Sequence, residues 1–384
     1  MLNFDFYNPT RIVFGKDAVG QIGDLIPADA RVLILYGGSS ARANGTLDQV
    51  KAALGTRDVQ EFGGIEPNPT FETLMQAVEQ VRSQGRDYLL AVGGGSVIDG
   101  TKFVSAAAKF EGDAWEILEQ HGANITAAIP FGTVLTLPAT GSEMNRLAVV
   151  SRKATQEKLD FRSERVFPQF SILDPTKTET LPTRQIANGI ADAFSHVFEQ
   201  YLTYPINAAP QDRIAEGLLQ TLIELGENGP QLPDYQARAN LMWCSTLALN
   251  GLIGAGVPQD WSTHMIGHEL TALHGIDHAR TLAILFPANL QVRRAAKRDK
   301  LLQYAARVWG IHDGSEEERI DQAIARTRGF FEKLEIPTRL GAHGLGAEVV
   351  DPILAQLQAH GMTALGEHGD VSLSVSRQIL EAAL

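Results

Sequence analysis

Residues 87–102, DYLLAVGGGSVIDGTK, decide the fold class of this 384-residue chain. An apolar run ends in three consecutive glycines at 93–95, and a segment with helical periodicity follows at 96–108. Glycines at such a turn let a ligand approach the backbone, and the N–H groups that open the following helix favour a phosphate. The turn departs from G-x-G-x-x-G because its sixth position is Ile98, so by itself it fits a tight strand–helix turn equally well.

The same alternation of apolar runs and helical stretches recurs on both sides of this turn. Apolar runs occur at 31–38, 59–64 and, less clearly, 133–141, with a helical stretch at 70–82. Strand and helix in alternation predict a parallel sheet covered by helices, which binds ligands at the carboxyl ends of its strands. Two further strand ends, YGGSSARANG (36–45) and PATGSE (138–143), are rich in glycine and hydroxyl groups, which favours a long polar ligand such as a dinucleotide.

Strand-like runs disappear after about residue 181, and the second half is predicted to be all-helical. We therefore expect a Rossmann-like dinucleotide-binding domain at 1–180 and an all-helical metal- and substrate-binding domain at 181–384. The predicted helices are 183–201, 212–225, 237–253, 258–274, 293–309, 316–333 and 371–383.

Composition excludes several classes of protein. The chain has 33 Lys and Arg against 45 Asp and Glu, a formal net charge of −12, and no basic cluster, which argues against binding of nucleic acid. No apolar stretch approaches the roughly 18 residues of a membrane helix. The single Cys244 excludes an intramolecular disulfide, and the first residues lack the pattern of a signal peptide. We expect a cytoplasmic enzyme that acts on small molecules.

Histidines are concentrated in the second half. Four of the ten lie between His264 and His278, and His196 follows Asp192 by four residues, so these two side chains share one helix face. Any one histidine is more often a hydrogen-bonded helix residue, but the cluster favours a divalent ion such as Zn²⁺ or Fe²⁺ held by nitrogen and oxygen. A metalloprotease H-E-x-x-H motif fails because the histidine after His268 is His274, beyond the required spacing. We also expect Gly275 to end one helix and Asp277 to cap the next.

Several motifs in order resemble the iron-containing (group III) alcohol dehydrogenases, in particular the branch of butanol dehydrogenases and NADPH-dependent aldehyde reductases. They are NPTRIVFGK, EFGGIEPNPT, AVGGGSVIDGTK, LPATGSE, ANGIADAFSH and VPQDWSTHMIGHELTALHGIDH. The resemblance implies the dehydroquinate synthase-like fold, metal ligation by Asp192, His196, His264 and His278, and His268 beside the substrate as a proton relay. It also implies a homodimer, for which residues 11–15 are a candidate pairing segment.

The resemblance further implies a nicotinamide cofactor. The end of the first strand, at Gly37, Gly38, Ser39 and Ser40, lacks the Asp of NAD-preferring relatives and has Arg42 nearby, which favours NADPH. Relatives tend to carry a third glycine where this chain has Ser39, and lysines where it has Ala41 and Arg42. The other implied cofactor contacts are Asn68, Gly94, Gly95, Ser96, Asp99, Thr136, Thr140, Ser142 and Lys158, the last near the nicotinamide.

Together these features predict metal-dependent, reversible hydride transfer between NADPH and a small or medium-chain aldehyde. One alternative is a dehydroquinate synthase-like lyase, which combines a nicotinamide and a metal in the same fold but requires a basic substrate pocket. A second alternative is a nucleotide-binding regulatory protein with a structural metal.

Overall fold

The computed structural model describes residues 1–384, and all eight strands lie before residue 174. The strands are β1 (Arg11–Phe14), β2 (Arg31–Tyr36), β3 (Asp58–Phe62), β4 (Tyr88–Gly94), β5 (Phe131–Leu137), β6 (Leu147–Arg152), β7 (Glu157–Arg162) and β8 (Phe170–Leu173). The helices are α1 (Ile22–Leu25), α2 (Ser40–Ala43), α3 (Thr46–Leu54), α4 (Phe71–Ser83), α5 (Gly95–Ala107), α6 (Glu116–Glu119), α7 (Thr183–Tyr201), α8 (Ala209–Gly226), α9 (Tyr235–Ala248), α10 (Ser262–His274), α11 (His278–Val292), α12 (Arg298–Arg307), α13 (Glu316–Lys333), α14 (Val350–Ala359) and α15 (Leu373–Ala382). Short 3-10 helices occur at Ala18–Gln21, Ser142–Met144, Glu164–Val166, Pro175–Thr178, Leu340–His343 and Ala347–Val349.

Six strands form one parallel sheet in the order β1-β8-β5-β4-β2-β3, which confirms the predicted parallel sheet. Strands β2 to β5 correspond to the four predicted runs. Strand β8 and the antiparallel hairpin of β6 and β7 were not predicted. The segment at 11–15 was predicted only as a pairing segment between subunits, whereas β1 pairs with β8 inside the chain and forms one edge of the sheet.

Apolar side chains cover both faces of this sheet. Alternate residues of β2 point to opposite sides, so Leu33 and Leu35 join one core and Val32 and Ile34 join the other. The first core includes residues of α4 and α5, and the second includes residues of α3. Burial on both faces explains why these strands read as continuous apolar runs rather than as alternating ones.

The region after residue 181 is helical, as predicted, and α7 and α13 have the predicted bounds. Helix α14 was not predicted. The helix predicted at 293–309 is shorter in the structure, where α12 spans only Arg298–Arg307. Helix α11 ends just before this region, at Val292. An apolar core unites α10, α11, α14 and α15 through residues such as Ile266, Ile284 and Leu380.

The chain forms two compact units, each made of more than one segment. One contains Tyr7–Leu181 and Asp234–Thr246, and the other contains Met1–Phe6, Pro182–Pro233 and Leu247–Leu384. Most of α9 therefore belongs to the unit of the sheet, where Met242 joins the core of one face. No helix has both the length and the apolar character required to cross a lipid bilayer.

Candidate metal centre and dinucleotide site

Helix α7 carries polar side chains at every fourth position along one stripe. Arg184, Asn188, Asp192 and His196 are spaced by four residues, so the 3.6-residue repeat brings them to the same side. Most of the helix is buried, and the side chains of Asp192 and His196 are only 4% and 6% exposed. Two of the predicted metal ligands are therefore held by a long, rigid element.

The other two predicted ligands lie at the beginnings of α10 and α11. His264 is the third residue of α10, which follows Trp261 in the left-handed conformation at φ 62°. Gly275 ends α10 with φ 69°, which confirms the predicted stop, and α11 begins at His278. The short connection between the helices brings His278 close to His264, with ring centroids 5.3 Å apart.

One possible ligand atom from each of Asp192, His196, His264 and His278 lies within 4.8 Å of the other three. Asp192 Oδ1 is 3.7 Å from His278 Nε2 and 3.9 Å from His196 Nε2. Ligands of a tetrahedral Zn²⁺ or Fe²⁺ site are separated by about 3.4 Å, since metal–ligand bonds are about 2.1 Å. Three imidazoles and one carboxylate in this arrangement fit a divalent ion of intermediate hardness.

Burial prepares these side chains to bind a cation. Burial and the neighbouring His264 lower the pKa of His196 to about 4, against the opposing effect of Asp192. The His196 imidazole is therefore neutral near pH 7, which is the form that ligates metal.

A buried carboxylate, that of Glu199, contacts His264 of the cluster. Glu199 Oε1 lies 3.1 Å from His264 Nδ1 and accepts the backbone N–H of His264 at 3.1 Å. Burial and the nearby Asp260 carboxylate raise the pKa of Glu199 well above its ordinary value. Glu199 was not predicted; its place three residues after His196 indicates a shared helix face but not its contact with His264.

Asp277 occupies the N-cap position of α11, but its carboxylate does not cap that helix. It accepts hydrogen bonds from Arg184 (2.7 Å) and Asn188 (3.0 Å) of α7 instead. Asp277 therefore links α7 to the start of α11 through hydrogen bonds instead of capping α11. The roles of Arg184 and Asn188 were not predicted from the sequence.

His268 lies beside the cluster, one turn after His264 on α10. Its ring centroid is 5.1 Å from that of His278, and the residue is 5% exposed. It is not one of the four clustered residues. This placement is compatible with the predicted role of His268 in proton transfer, which stays a prediction.

In the other unit, the predicted cofactor residues gather at one edge of the sheet. Strands β5, β4 and β2 are consecutive parallel neighbours, so their carboxyl ends emerge side by side. These ends carry Gly37, Gly38, Ser39 and Ser40 after β2, Gly94, Gly95, Ser96 and Asp99 around the end of β4, and Thr136, Thr140 and Ser142 at or after the end of β5. Backbone and neutral groups dominate this edge.

The glycine turn has no space for side chains. A Cβ atom on Gly93 would lie 2.5 Å from Val97 Cγ2, and one on Gly95 would lie 2.4 Å from Thr140 Oγ1. Helix α5 begins directly at Gly95. Gly93 and Gly95 are therefore required by the close approach of β4, α5 and the loop after β5, in addition to any contact with a ligand.

Asn68 and Lys158 meet next to this turn. Asn68, with φ 55°, directs its backbone N–H to Ser96 Oγ at 3.3 Å. Lys158 Nζ reaches across from the β6–β7 hairpin and donates to Asn68 Oδ1 at 2.9 Å. Three predicted cofactor residues that are distant in sequence thus form one connected group.

The side chains of Asp99 and Ser142 form hydrogen bonds within the protein. Ser142 Oγ donates to Asp99 Oδ1 at 2.5 Å, while Lys102 Nζ donates to Ser142 Oγ at 2.8 Å, to Asn145 Oδ1 at 2.8 Å and to the Leu147 carbonyl at 2.6 Å. Burial lowers the pKa of Lys102 to about 8, against the attraction of Asp99. Lys102, which was not predicted as a site residue, therefore organises the loop that carries Thr140 and Ser142.

Arg42 belongs to a small charged group beside the end of β2. Its guanidinium donates to Glu61 Oε2 at 2.6 Å and to Tyr36 Oη at 2.7 Å. Lys51 Nζ lies 3.2 Å from the other oxygen of Glu61. Lys51 Nζ also lies 3.2 Å from Asp48 Oδ1, so two cations and two carboxylates form this group, which carries no net charge.

Comparison with known families and proteins identifies relatives along the whole chain. The family model described as iron-containing alcohol dehydrogenase matches residues 9–175, and that of the C-terminal region of Fe-containing alcohol dehydrogenases matches residues 186–381. The chain is 59% identical to the NADPH-dependent aldehyde reductase YqhD of Escherichia coli (strain K12), over 100% of both chains. It is 40% identical to NADH-dependent butanol dehydrogenase A of Clostridium acetobutylicum, over 93% of both chains.

Solved structures agree with these relationships. The crystal structure of Escherichia coli K-12 YqhD matches with a TM-score of 0.99 at 58% identity, covering 100% of this chain and 99% of that one. The structure of a butanol dehydrogenase from Thermotoga maritima, described as NADH-dependent, matches with a TM-score of 0.94 at 35% identity and the same coverage.

Proposed function

This chain belongs to the iron-containing alcohol dehydrogenase family, and we propose that it transfers hydride between NADPH and a small or medium-chain aldehyde in a reversible reaction that gives the primary alcohol. The observation that carries the proposal is the cluster of Asp192, His196, His264 and His278 within one 4.8 Å group. The identity of 59% with an NADPH-dependent aldehyde reductase supports the choice of reaction.

The four clustered residues are the proposed ligands of one divalent ion, either Zn²⁺ or Fe²⁺. When bound, the ion polarises the aldehyde oxygen, and the nicotinamide supplies the hydride. Asp192 contributes the single negative charge of the ligand set, and the three imidazoles are neutral donors. His268 is the proposed source of the proton that the alcohol oxygen receives.

The sheet-containing unit is the proposed NADPH-binding part, and the helical unit is the proposed metal- and substrate-binding part. At the end of β2, Ser39 and Ser40 present no carboxylate that would repel a 2′-phosphate. The Arg42 guanidinium, which is half-exposed beside this strand end, is a proposed partner of the same phosphate. Lys158 and Asn68 are proposed to contact the nicotinamide end of the cofactor.

The dehydroquinate synthase-like lyase is not favoured, since both matching family models are those of iron-containing alcohol dehydrogenases. The family also supports the expectation of a homodimer, in which the edge strand β1 is the proposed pairing element. Size-exclusion chromatography with light scattering measures that state directly.

The test is an assay of purified protein supplied with Zn²⁺ or Fe²⁺ under anaerobic conditions. We expect NADPH absorbance to fall in the presence of short and medium-chain aldehydes, and to fall more slowly when NADH replaces NADPH. A panel of aldehydes and both cofactors defines the substrate range, and the metal content of protein purified without oxidation identifies the ion. The absence of any aldehyde-dependent oxidation of NADPH would contradict the proposal.

A further inference from the structure

We propose that Glu199 is a positioning residue that orients His264 and thereby sets the affinity of the cluster for its divalent ion. The inference rests on the proposed metal site, and it concerns a carboxylate that is not itself one of the four clustered residues.

Glu199 contacts His264 twice. One carboxylate oxygen, Oε1, lies 3.1 Å from the ring Nδ1 and accepts the backbone N–H at 3.1 Å. The Glu199 side chain is 1% exposed, so water does not compete for this oxygen. Two contacts to one residue restrict both the rotation of the ring and the position of the backbone that carries it.

The contact to Nδ1 also selects the form of the imidazole. When Glu199 is ionised, its oxygen accepts the hydrogen bond, so the ring proton resides on Nδ1 and the lone pair remains on Nε2. Nε2 is then the nitrogen of His264 that can ligate an ion. Carboxylates that accept the second ring N–H of a ligating histidine fix its orientation and raise its basicity.

Helix α7 supplies this support in register with the ligands. Asp192, His196 and Glu199 are separated by four and three residues, which places them along one side of the helix. One buried helix thus provides two ligands and the partner of a third. Any shift of α10 against α7 would alter the ligand and its support together.

The start of α10 is locked against α7 by backbone and side-chain contacts. The Asp260 N–H donates to the Glu199 carbonyl at 2.9 Å, and Asp260 Oδ1 accepts the Ser262 N–H at 3.0 Å. Asp260 Oδ2 pairs with Lys297 at 2.7 Å and with Arg293 at 3.0 Å, and all three side chains are at most 3% exposed. This buried ion cluster keeps the corner before His264 in place.

Three variants and a matched control test the role of Glu199. Glu199→Gln keeps an oxygen acceptor at the same distance, Glu199→Asp keeps the charge but withdraws it by one methylene, and Glu199→Ala removes both. Glu216→Ala is the control, because Glu216 is another buried carboxylate of the same unit, bonded to Tyr201 Oη at 2.9 Å and outside the cluster.

The measurement is competition between the protein and a chromophoric chelator for Zn²⁺, together with the visible absorption of protein loaded with Co²⁺. We expect Glu199→Ala to bind Zn²⁺ about 10–100-fold more weakly than wild type and to show an altered Co²⁺ spectrum. Glu199→Gln is expected to stay within about threefold of wild type, since the hydrogen-bond acceptor remains. Glu199→Asp should fall between Gln and Ala, and Glu216→Ala should match wild type.

Circular dichroism and NADPH affinity show which variants are folded, and Glu199→Asp keeps the test decisive if Glu199→Ala does not fold. Unchanged Zn²⁺ affinity and Co²⁺ spectrum in both Asp and Ala variants would overturn the inference, as would a wild-type protein that binds neither ion. A wild type that binds Zn²⁺ but reduces no aldehyde would overturn the proposed reaction alone, because the readout for Glu199 is metal affinity.

Discussion

The metal cluster and the dinucleotide edge are built from different parts of their residues. In the cluster, side chains on α7, α10 and α11 converge, and the proposed metal site depends on which atoms they present. At the sheet edge, glycines allow β4, α5 and the loop after β5 to approach one another closely. A site made of side chains is expected to fail when one is removed, whereas a site made of backbone is expected to fail when one is added.

The largest expected effect is at the cluster. His264→Ala removes one of four proposed ligands and leaves the Glu199 carboxylate without its imidazole partner, so we expect loss of bound metal and of measurable turnover. Metal content and NADPH oxidation measure these, and NADPH affinity should be unchanged. His312→Ala, at an exposed histidine, is the control. Full activity in His264→Ala would remove this residue from the ligand set.

The converse change tests the dinucleotide edge. Gly95→Ala introduces a Cβ atom 2.4 Å from Thr140 Oγ1, so the turn must shift. We expect NADPH affinity to fall by more than about tenfold and the free energy of unfolding by about 1–3 kcal/mol, with metal affinity retained. Gly217→Ala is the matched control, because its Cβ would meet nothing within 4 Å on the exposed side of α8. Normal NADPH affinity in Gly95→Ala would contradict the backbone description.

A smaller effect is expected where a side chain does matter at this edge. Ser39→Asp places a carboxylate near the proposed 2′-phosphate site, and repulsion should lower the ratio of NADPH to NADH efficiency by about tenfold. Ser39→Asn, similar in shape but neutral, should have little effect. Comparison of kcat/KM for both cofactors gives the ratio. An unchanged ratio in Ser39→Asp would place the origin of selectivity elsewhere.

The last prediction concerns stability alone, at the buried Lys102 next to the glycine turn. Its folded-state pKa of about 8 lies below the ordinary value of 10.5, so the unfolded chain binds more protons between these values. Its contribution to the free energy of unfolding should therefore rise as pH increases from about 8 to 10.5. Denaturant unfolding of wild type and Lys102→Met across this range isolates the contribution. A difference between the two proteins that stays constant with pH would contradict the assignment.

Local patterns were sufficient for much of the fold and for the grouping of the histidines. The bounds of α7 follow from its helical periodicity, and Gly275 marks the end of α10 as expected. Short strands were harder to predict from the sequence, because four-residue segments such as β1 and β8 are defined by the strands with which they pair. The contacts of Glu199 with His264, 65 residues away, have no counterpart in a local pattern.

By itself the sequence determined the alternation of strands and helices, the glycine turn and the spacing of Asp192 and His196. These features depend on steric preference and periodicity, which act over a few residues. Only the tertiary structure decided that α9 belongs to the unit of the sheet, that Asp277 is clasped by α7 instead of capping α11, and that Glu199 supports His264. Such contacts arise because buried polar groups must find partners wherever the packing brings them.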